Sequence, residues 1–310
     1  MNAAQRTPRP AAAHGPRHGR NGFLFGLGAY ALWGVLPIYF KALGAIPAID
    51  IVAHRILWSL PFLGVLIMVG RGWPAIRTVL RHRKTLAILS LSALLIGINW
   101  LLYVYAVTSG HIIAASFGYY LNPLANVLLG RFVLHERLTH LQWLAVGIAA
   151  AGICVLAAGA LGQLWISLTL CVSFALYGLL RKVVAADSLT GLTVETAMLF
   201  PLAIGWLAWR ALAGAPWFGV GPGDATLLVL AGIVSTTPLL LFTAAARRLD
   251  YSTLGMLQFL APTLQLLIAV MLYNEPFRAA HAIAFAAIWT ALALYVTALV
   301  RAPRAPQPPE

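Results

Sequence analysis

The chain has 310 residues, of which 61% are hydrophobic and only 9% are charged, whereas an ordinary soluble domain has about 25% charged residues. A soluble fold of this length could not bury so much apolar surface, so the composition excludes a soluble globular domain and predicts a multi-pass membrane protein. The formal net charge of +13 would favour nucleic-acid binding in a soluble chain. Here the basic residues lie in short loops between apolar runs, so no nucleic-acid partner is expected.

Residues 1–21 are rich in Arg, Pro, Ala and His and have no apolar periodicity, which predicts a disordered basic tail. The apolar run that follows is too long for a signal-peptide core, so we interpret it as a retained membrane span. About 20 apolar residues cross a bilayer as a helix. Ten runs meet this length and predict an all-α fold of ten transmembrane helices, at 22–42, 48–69, 85–107, 112–131, 139–158, 162–181, 190–212, 225–246, 252–272 and 279–300.

The basic residues predict the orientation of these spans. With a cytoplasmic N-terminus, the cytoplasmic segments carry most of the Lys and Arg residues, and the outer segments carry only Lys41, Arg210 and Arg278. Cytoplasmic loops of membrane proteins have this excess of positive charge. We therefore predict that both tails, 1–21 and 301–310, are cytoplasmic.

Two distant apolar runs share the same spacing of a proline and a glutamate. Pro123 and Pro262 are 139 positions apart, and so are Glu136 and Glu275. We interpret both glutamates as helix-end anchors close to basic neighbours, because charged groups at helix ends can reach the membrane interface. The shared spacing indicates that two parts of the chain are copies of each other.

A second pair of blocks supports the duplication. AYALWG at 29–34 matches SFALYG at 173–178. We therefore predict two five-helix repeats, 22–158 and 162–300. Because five is odd, the second repeat enters the membrane from the opposite side. In transporters with such inverted repeats, the substrate site lies near the bilayer midplane where the halves meet.

Several stretches of the sequence resemble the RarD group of EamA-type transporters, in the drug/metabolite transporter superfamily. They occur in the expected order over about residues 22–300: AYALWGVLPIYFK (29–41), HRILWS (54–59), NWLLYVYAV (99–107), SFGYYLNPLANVLLG (116–130), SFALYGLLRK (173–182), PLLLFTAAARRL (238–249) and STLGMLQFLAPTLQLLIAV (252–270).

The resemblance implies ten helices in two inverted repeats, with the first four helices of each half around a central cavity. It also implies a permease of the bacterial inner membrane, in a group associated with chloramphenicol sensitivity. Members of the group often have an acidic residue where this chain has Ala114, so any role of that carboxylate does not transfer to this chain.

Charged side chains inside the predicted spans are the first candidates for a substrate site, because each costs about 2.5–3.5 kcal/mol on insertion scales. Glu195 lies about 9 Å into span 7 at 1.5 Å per residue, and His54 and Arg55 lie at a comparable depth in span 2. We predict that Arg55 and His54 attract an anionic or polar group of the substrate, and that Glu195 binds a cation or a proton. The alternative is an internal hydrogen-bonded network that fixes helix packing, and for His54 this alternative is preferred.

Two polar side chains lie beside the repeated prolines. Asn122 precedes Pro123, and Gln258 precedes Pro262. Proline leaves a backbone carbonyl one turn earlier without its partner, and a side chain, a water or a ligand must satisfy that group. We predict helix kinks at both prolines and place both polar side chains on the transport pathway.

Further polar and aromatic side chains in the spans could also line the pathway, although interfacial aromatics and interhelical hydrogen bonds are common in membrane proteins. Trp33 and Tyr177 occupy equivalent positions in the two repeats. Lys41, at the outer end of span 1, either reaches the interface or draws anions to an outer mouth. The candidates of this kind are Trp33, Tyr177, Asn99, Tyr119 and Lys41.

The sequence has no G-x-x-x-x-G-K-[ST] phosphate loop, no H-E-x-x-H pair and no G-x-S-x-G elbow. No cofactor, metal site or enzymatic activity is therefore expected, and Cys154 and Cys171 are interpreted as packing residues. The predicted function is a secondary transporter that moves a small organic solute by alternating access. The alternatives are an intramembrane enzyme and a non-transporting membrane scaffold. Membrane lipids and a small solute are the expected partners, and the sequence does not indicate whether the chain forms a homodimer.

Overall fold

The computed structural model describes residues 16–43, 46–108, 112–157, 164–219, 221–273 and 279–301. Within these ranges every regular element is a helix, so the predicted all-helical fold is confirmed. The helices are α1 (Pro16–Ala42), α2 (Ala48–Val69), α3 (Trp73–Arg81), α4 (Arg83–Thr108), α5 (Ile112–Phe132), α6 (His140–Ala157), α7 (Leu164–Val183), α8 (Ser188–Leu212), α9 (Asp224–Ala246), α10 (Tyr251–Gln258), α11 (Leu260–Tyr273) and α12 (Ala279–Arg301).

Eight helical segments in the described ranges are long and apolar enough to cross a membrane. They lie on α1, α2, α4, α7, α8, α9, α10 with α11, and α12, while α6 contributes the shorter apolar helix His140–Val155. Large apolar side chains on their outer faces are exposed, and Leu202 and Met271 are 72% and 78% exposed. Such surfaces require lipid rather than water around them, so the chain is a multi-pass membrane protein.

The short helix α3 was not among the predicted elements. It lies in the basic connection between the second and third spans, where its apolar side is narrow: Ile76 and Val79 are buried, and Arg77 and Arg81 are exposed. A search for runs of about 20 apolar residues does not detect an amphipathic helix of two to three turns.

Helix α1 begins at Pro16, within the segment 1–21 that was predicted to be a disordered tail.

The predicted ninth span consists of two helices. Helix α10 ends at Gln258, Phe259 forms a turn, and α11 begins at Leu260. Pro262 lacks the N–H that would donate to the carbonyl of Gln258, so one α-helical hydrogen bond is missing at this turn. In contrast, α5 continues through Pro123 as one helix.

The helices pack in pairs that recur across the molecule. Helix α1 packs against α9 and α11, and α7 packs against α4 and α5. Helices α6 and α12 form one pair, α5 and α10 another, and α2 packs against both α8 and α9. The central core contains rings from α1, α7 and α9, so these three helices enclose the middle of the bundle.

Helices α2 and α9 approach each other closely at Gly232. A Cβ atom at this position would lie 2.4 Å from the carbonyl carbon of Trp58 and 2.7 Å from the nitrogen of Ser59. The Ser59 hydroxyl donates to the Gly232 carbonyl at 3.2 Å, and the Thr236 hydroxyl donates to the Ser59 oxygen at 2.6 Å. Backbone atoms cannot move aside as a flexible side chain can, so only glycine permits this contact.

We expect Gly232→Ala to lower the free energy of unfolding by about 1–3 kcal/mol, the usual cost of inserting an atom into a filled interface. Gly64→Ala on α2 is the matched control, because its new Cβ would meet no atom within 4 Å. The measurement is the thermal unfolding midpoint of each purified variant in detergent. Equal midpoints for the two variants would contradict the close approach of α2 and α9.

Candidate functional site

A small cavity inside the bundle is lined in part by the charged side chain of Arg55. The cavity lies between α2, α4, α8 and α9, has a volume of about 10 Å³, and is lined by polar groups that include the hydroxyls of Ser59, Thr196 and Thr236. This volume is enough for one water molecule. The guanidinium of Arg55 lies over the ring of Trp100, 3.9 Å from its centroid, so one face of the cation is covered by an aromatic ring.

Asn99 precedes the cavity residue Trp100 on α4 and, like Tyr119, has hydrogen-bonded polar atoms without lining the cavity itself. The amide of Asn99 donates to the Leu170 carbonyl at 2.9 Å and to the Ser173 hydroxyl at 3.0 Å, which fastens α4 to α7. The Tyr119 hydroxyl donates to the Asn99 oxygen at 3.2 Å and interacts electrostatically with Arg55. The structure therefore brings three of the predicted site residues, Arg55, Asn99 and Tyr119, to one region.

Trp33 and Tyr177 belong to one cluster of aromatic rings. The ring of Trp33 lies 5.9 Å from that of Phe174 and 5.6 Å from that of Phe242. Tyr177 stacks on Phe242 at 6.2 Å, and Tyr119 meets Phe174 edge-on at 6.4 Å. The cluster forms a continuous aromatic wall from α1 to the neighbourhood of the Arg55 cavity.

The structure places Glu195 in a buried ion pair that the sequence analysis did not predict. One oxygen of Glu195 accepts a hydrogen bond from Ser92 at 2.5 Å and lies 3.5 Å from Nη1 of Arg181. The Arg181 side chain is fully buried. A Cβ atom at Gly191 would lie 1.9 Å from its Nη1, so this glycine leaves room for the guanidinium. Arg181 is the last residue of the predicted sixth span, 162–181, and was counted among the basic residues of the cytoplasmic segments.

At the end of the bundle where Arg181 lies, basic side chains donate hydrogen bonds to backbone carbonyls. Arg181 donates to the carbonyls of Asp187 and Ser188 at 3.3 and 3.2 Å. Lys182 donates to Ala246 at 3.2 Å, and Arg247 donates to Val184 at 2.8 Å. Ala246 and Val184 lie at the C-terminal ends of α9 and α7, where carbonyls lack intrahelical partners and cations are favourable. These bonds fasten the connection between α7 and α8 to the end of α9.

Asp187, next to this cluster, caps the N-terminus of α8. Its carboxylate accepts the backbone N–H of Thr190 at 2.9 Å. Partial burial raises the pKa of the Asp187 carboxyl, but hydrogen bonds from Thr190 and from the backbone N–H of Leu189 lower it by more. Its pKa therefore lies below the usual value, and the cap remains ionised at neutral pH.

Glu136 caps a helix of the other half of the chain. Its carboxylate accepts the backbone N–H groups of Tyr251 at 2.5 Å and Ser252 at 3.0 Å, and the Ser252 hydroxyl at 2.7 Å. These groups form the N-terminus of α10, where free N–H groups favour an anion. Glu136 therefore binds a helix end rather than its neighbour Arg137, and Glu275 lies outside the described residues.

His54 faces a second cavity, separate from that of Arg55. Adjacent residues on a helix point about 100° apart, and the His54 ring nitrogen Nε2 bonds the Trp217 carbonyl at 2.8 Å. This cavity of about 200 Å³ also contains the ion pair between Asp50 and Arg210, at 2.9 Å. Lys41 is exposed in the last turn of α1.

The polar side chains beside the two prolines lie where α5 packs on α10. The amide of Asn126 donates to the Gln258 oxygen at 3.0 Å. Asn122 is fully buried, and within the described residues neither its amide nitrogen nor its oxygen has a hydrogen-bond partner. Neither Asn122 nor Gln258 lines the Arg55 cavity.

In the same described part of the chain, no three His, Cys, Asp or Glu residues lie close enough to hold a metal ion.

Comparisons with known proteins agree with this fold. The sequence model of the EamA-like transporter family matches residues 20–158. Protein RarD of Escherichia coli is 44% identical over 285 residues, covering 89% of this chain and 94% of that protein. An uncharacterized transporter of Vibrio cholerae is 43% identical over 277 residues, covering 89% and 92%.

Two further matches are more distant. A protein of Pseudomonas aeruginosa named chloramphenicol-sensitive protein RarD is 32% identical over 277 residues, covering 88% of this chain and 92% of that protein. One solved crystal structure is similar with a TM-score of 0.69 over 90% of this chain and 99% of that chain. Its sequence is 22% identical, so this match supports the fold alone.

The ion pair of Arg181 and Glu195 can be tested by a double-mutant cycle. We expect Arg181→Leu to lower the free energy of unfolding by about 3–5 kcal/mol, because it leaves the Glu195 charge buried without a partner. Adding Glu195→Leu is expected to restore most of this loss, since two apolar side chains leave no charge behind. Thermal unfolding in detergent measures both effects, and additive losses in the double variant would show that the two side chains do not interact.

Proposed function

The chain belongs to the EamA-like transporter family, and we propose that it is a secondary transporter of the bacterial inner membrane that moves a small organic solute by alternating access. The observation that carries the proposal is the polar cavity at Arg55. It lies inside a bundle of membrane-spanning helices and is bordered by helices from both halves of the chain. An ionisable side chain at such a position is typical of a substrate or ion pathway.

We propose that the ten predicted spans form two inverted five-helix repeats. The helix packing supports this relation. In the proposed repeats α1 corresponds to α7, α4 to α9, and α5 to α10 with α11. The contacts of α1 with α9 and α11 are then equivalent to the contacts of α7 with α4 and α5. The pairs α6–α12, α5–α10 and α2–α8 each join a helix to its own counterpart. The family match to residues 20–158 also ends where the predicted first repeat ends.

Two glycines at equivalent positions each bring a helix close to the predicted ninth span. Gly34 ends the AYALWG block, and a Cβ there would lie 2.6 Å from Leu264 on α11. Gly178 ends the SFALYG block, and a Cβ there would lie 2.3 Å from the Tyr251 hydroxyl on α10. The first contact joins the two predicted repeats and the second lies within one of them, so this pair of contacts does not follow the exchange of the halves.

In this proposal the Arg55 cavity is the substrate site in a contracted form. Arg55, Tyr119 and Asn99 would contact the solute, and the aromatic wall containing Trp33 and Tyr177 would border its path. Room for one water molecule is too small for an organic solute, so the halves must separate to admit one. Glu136, Arg181, Lys182 and Arg247 bind helix ends at the side that we assign to the cytoplasm, which supports a conformation closed on that side.

The remaining predicted residues have different roles in this proposal. The cavity at His54 would form part of an outer entrance, together with Lys41. Asn122 and Gln258 would act where α5 slides against α10, next to Pro123 and Pro262. Glu195 would stabilise the halves through Ser92 and Arg181 instead of binding a coupling ion directly.

The inverted topology makes a prediction that does not depend on the substrate. In a background without Cys154 and Cys171, we expect Arg278→Cys to react with a membrane-impermeant maleimide on intact cells. Arg137→Cys, at the corresponding end of the first repeat, is expected to react only after permeabilisation. Labelling of both positions from the same side would contradict the inverted repeat.

Transport itself is tested by comparing metabolites in cells and medium of strains that lack or overproduce the protein. We expect at least one small organic solute to change its distribution, and Arg55→Ala to abolish the change while the protein still reaches the membrane. Chloramphenicol sensitivity, measured in the same strains, tests whether the association in the name of one relative extends to this chain. An unchanged metabolite pattern would argue for a non-transporting scaffold.

A further inference from the structure

We propose that the solute is an organic anion, that its negative group pairs with Arg55, and that the inside-negative membrane potential drives it out of the cell. This inference rests on the proposed transport function and adds the charge class of the solute and the direction of its movement. The observations that carry it are the surroundings of Arg55 and the positions of the acidic side chains.

The guanidinium of Arg55 has no protein counter-ion in the described part of the chain. The two ion pairs found there are Arg181–Glu195 and Arg210–Asp50, and no hydrogen bond of the Arg55 guanidinium is found among the same residues. The ring of Trp100 lies 3.9 Å from the guanidinium carbon and covers one face of the cation. Arg55 is also one of the residues that line the cavity, so a solute group in an enlarged cavity would lie next to this cation.

The acidic side chains that could neutralise Arg55 are bound elsewhere. Glu195 is held by Ser92 and Arg181, and Asp50 accepts from Trp206 and Arg210, each at 2.9 Å. The cavity lining consists of hydroxyl, aromatic and aliphatic groups with Arg55 as its one charge. The site is therefore net positive. A cation placed there would meet no carboxylate, whereas a carboxylate or phosphate would meet a guanidinium whose donors suit it.

A charge inside a membrane span without a counter-charge is unfavourable, and stacking on an aromatic ring offsets only part of this cost. Structural arginines in this protein do not carry this cost, because Arg181 and Arg210 each have a carboxylate partner. Arg55 differs from both, because it lies within α2 and has no carboxylate partner among the described residues. Its counter-charge is expected to come from the bound solute.

The charge of the solute determines the energetics of its movement. A membrane potential that is negative inside drives anions outward without a coupling ion. The sequence contains no phosphate loop for ATP hydrolysis, and Glu195 is occupied by an ion pair. Efflux of an anion by this chain would therefore need neither ATP nor proton binding at Glu195.

The test uses the purified full chain in liposomes that contain matched solutes: benzoate with benzamide, and lactate with lactamide. Each amide has nearly the shape of its carboxylate but no charge. Valinomycin and a potassium gradient set the potential. We expect at least one carboxylate to leave about tenfold faster than its amide, which corresponds to one charged hydrogen-bonded contact, and to leave faster when the inside is negative.

Arg55→Gln is expected to remove this preference, and Arg55→Lys to retain part of it. The stability of Arg55→Gln distinguishes a binding role from a structural one: its unfolding midpoint is expected to stay at or above that of the wild type, because no protein carboxylate loses its partner. A decrease like that of Arg181→Leu would overturn the proposal.

Three further results would overturn the anion inference: efflux of the amides at the rate of the carboxylates, efflux that does not respond to the potential, and no efflux of either carboxylate. The metabolite comparison separates this failure from failure of the transport function. A neutral or cationic solute that changes its distribution leaves the transporter in place and excludes the anion. An anion that accumulates in the medium when the protein is overproduced supports both.

Discussion

The structure depends on satisfying polar groups where no water is available. In a lipid environment an unpaired charge or backbone amide costs several kcal/mol, and this chain has few acidic residues to serve as partners. Those that the structure places inside or at the ends of helices each have a defined contact: Glu195 with Arg181, Asp50 with Arg210, Glu136 with the start of α10. Basic side chains that lack a carboxylate bind helix carbonyls instead, as Lys182 and Arg247 do. Arg55 has neither a carboxylate nor a carbonyl partner among the described residues and departs from this rule, and such departures are typical of functional sites.

This rule explains which parts of the fold could be predicted from the sequence. Membrane spans follow from length and hydrophobicity, and eight helical segments of the described residues meet both criteria, where the sequence predicted ten. Helix α3 was missed because its signal is amphipathicity over a short stretch. The turn at Phe259 has its cause in Pro262, which was identified, but the same reasoning applied to Pro123, where α5 continues without a break. A proline therefore shows where a helix can open, and the packing around it determines whether it does.

The candidate site was predictable in its members but not in its pairings. Arg55, Asn99 and Tyr119 come from three different helices, and their grouping follows from the bundle geometry. Glu195 and Arg55 were both expected at the substrate site, because they lie at comparable depths in spans 7 and 2. Instead, Glu195 pairs with Arg181, which lies at the end of an apolar run and was counted among the basic residues of the cytoplasmic segments. Gly191, three residues after the start of α8, was the available signal, since a glycine in a helix often marks a large neighbour that needs space. His54 and Arg55, although adjacent, face different cavities because of the helical twist.

The contact of Glu136 with α10 bears on how far the two halves are autonomous. Asp250 is the N-cap residue of α10, but its side chain makes no capping hydrogen bond. The backbone N–H groups of Tyr251 and Ser252 are instead capped by Glu136, which precedes them by more than a hundred positions. A C-terminal half synthesised alone would begin this helix with uncapped donors in an apolar setting. The start of α10 is therefore completed only when the C-terminal part of the chain packs against the segment that contains Glu136, which couples the folding of the two parts.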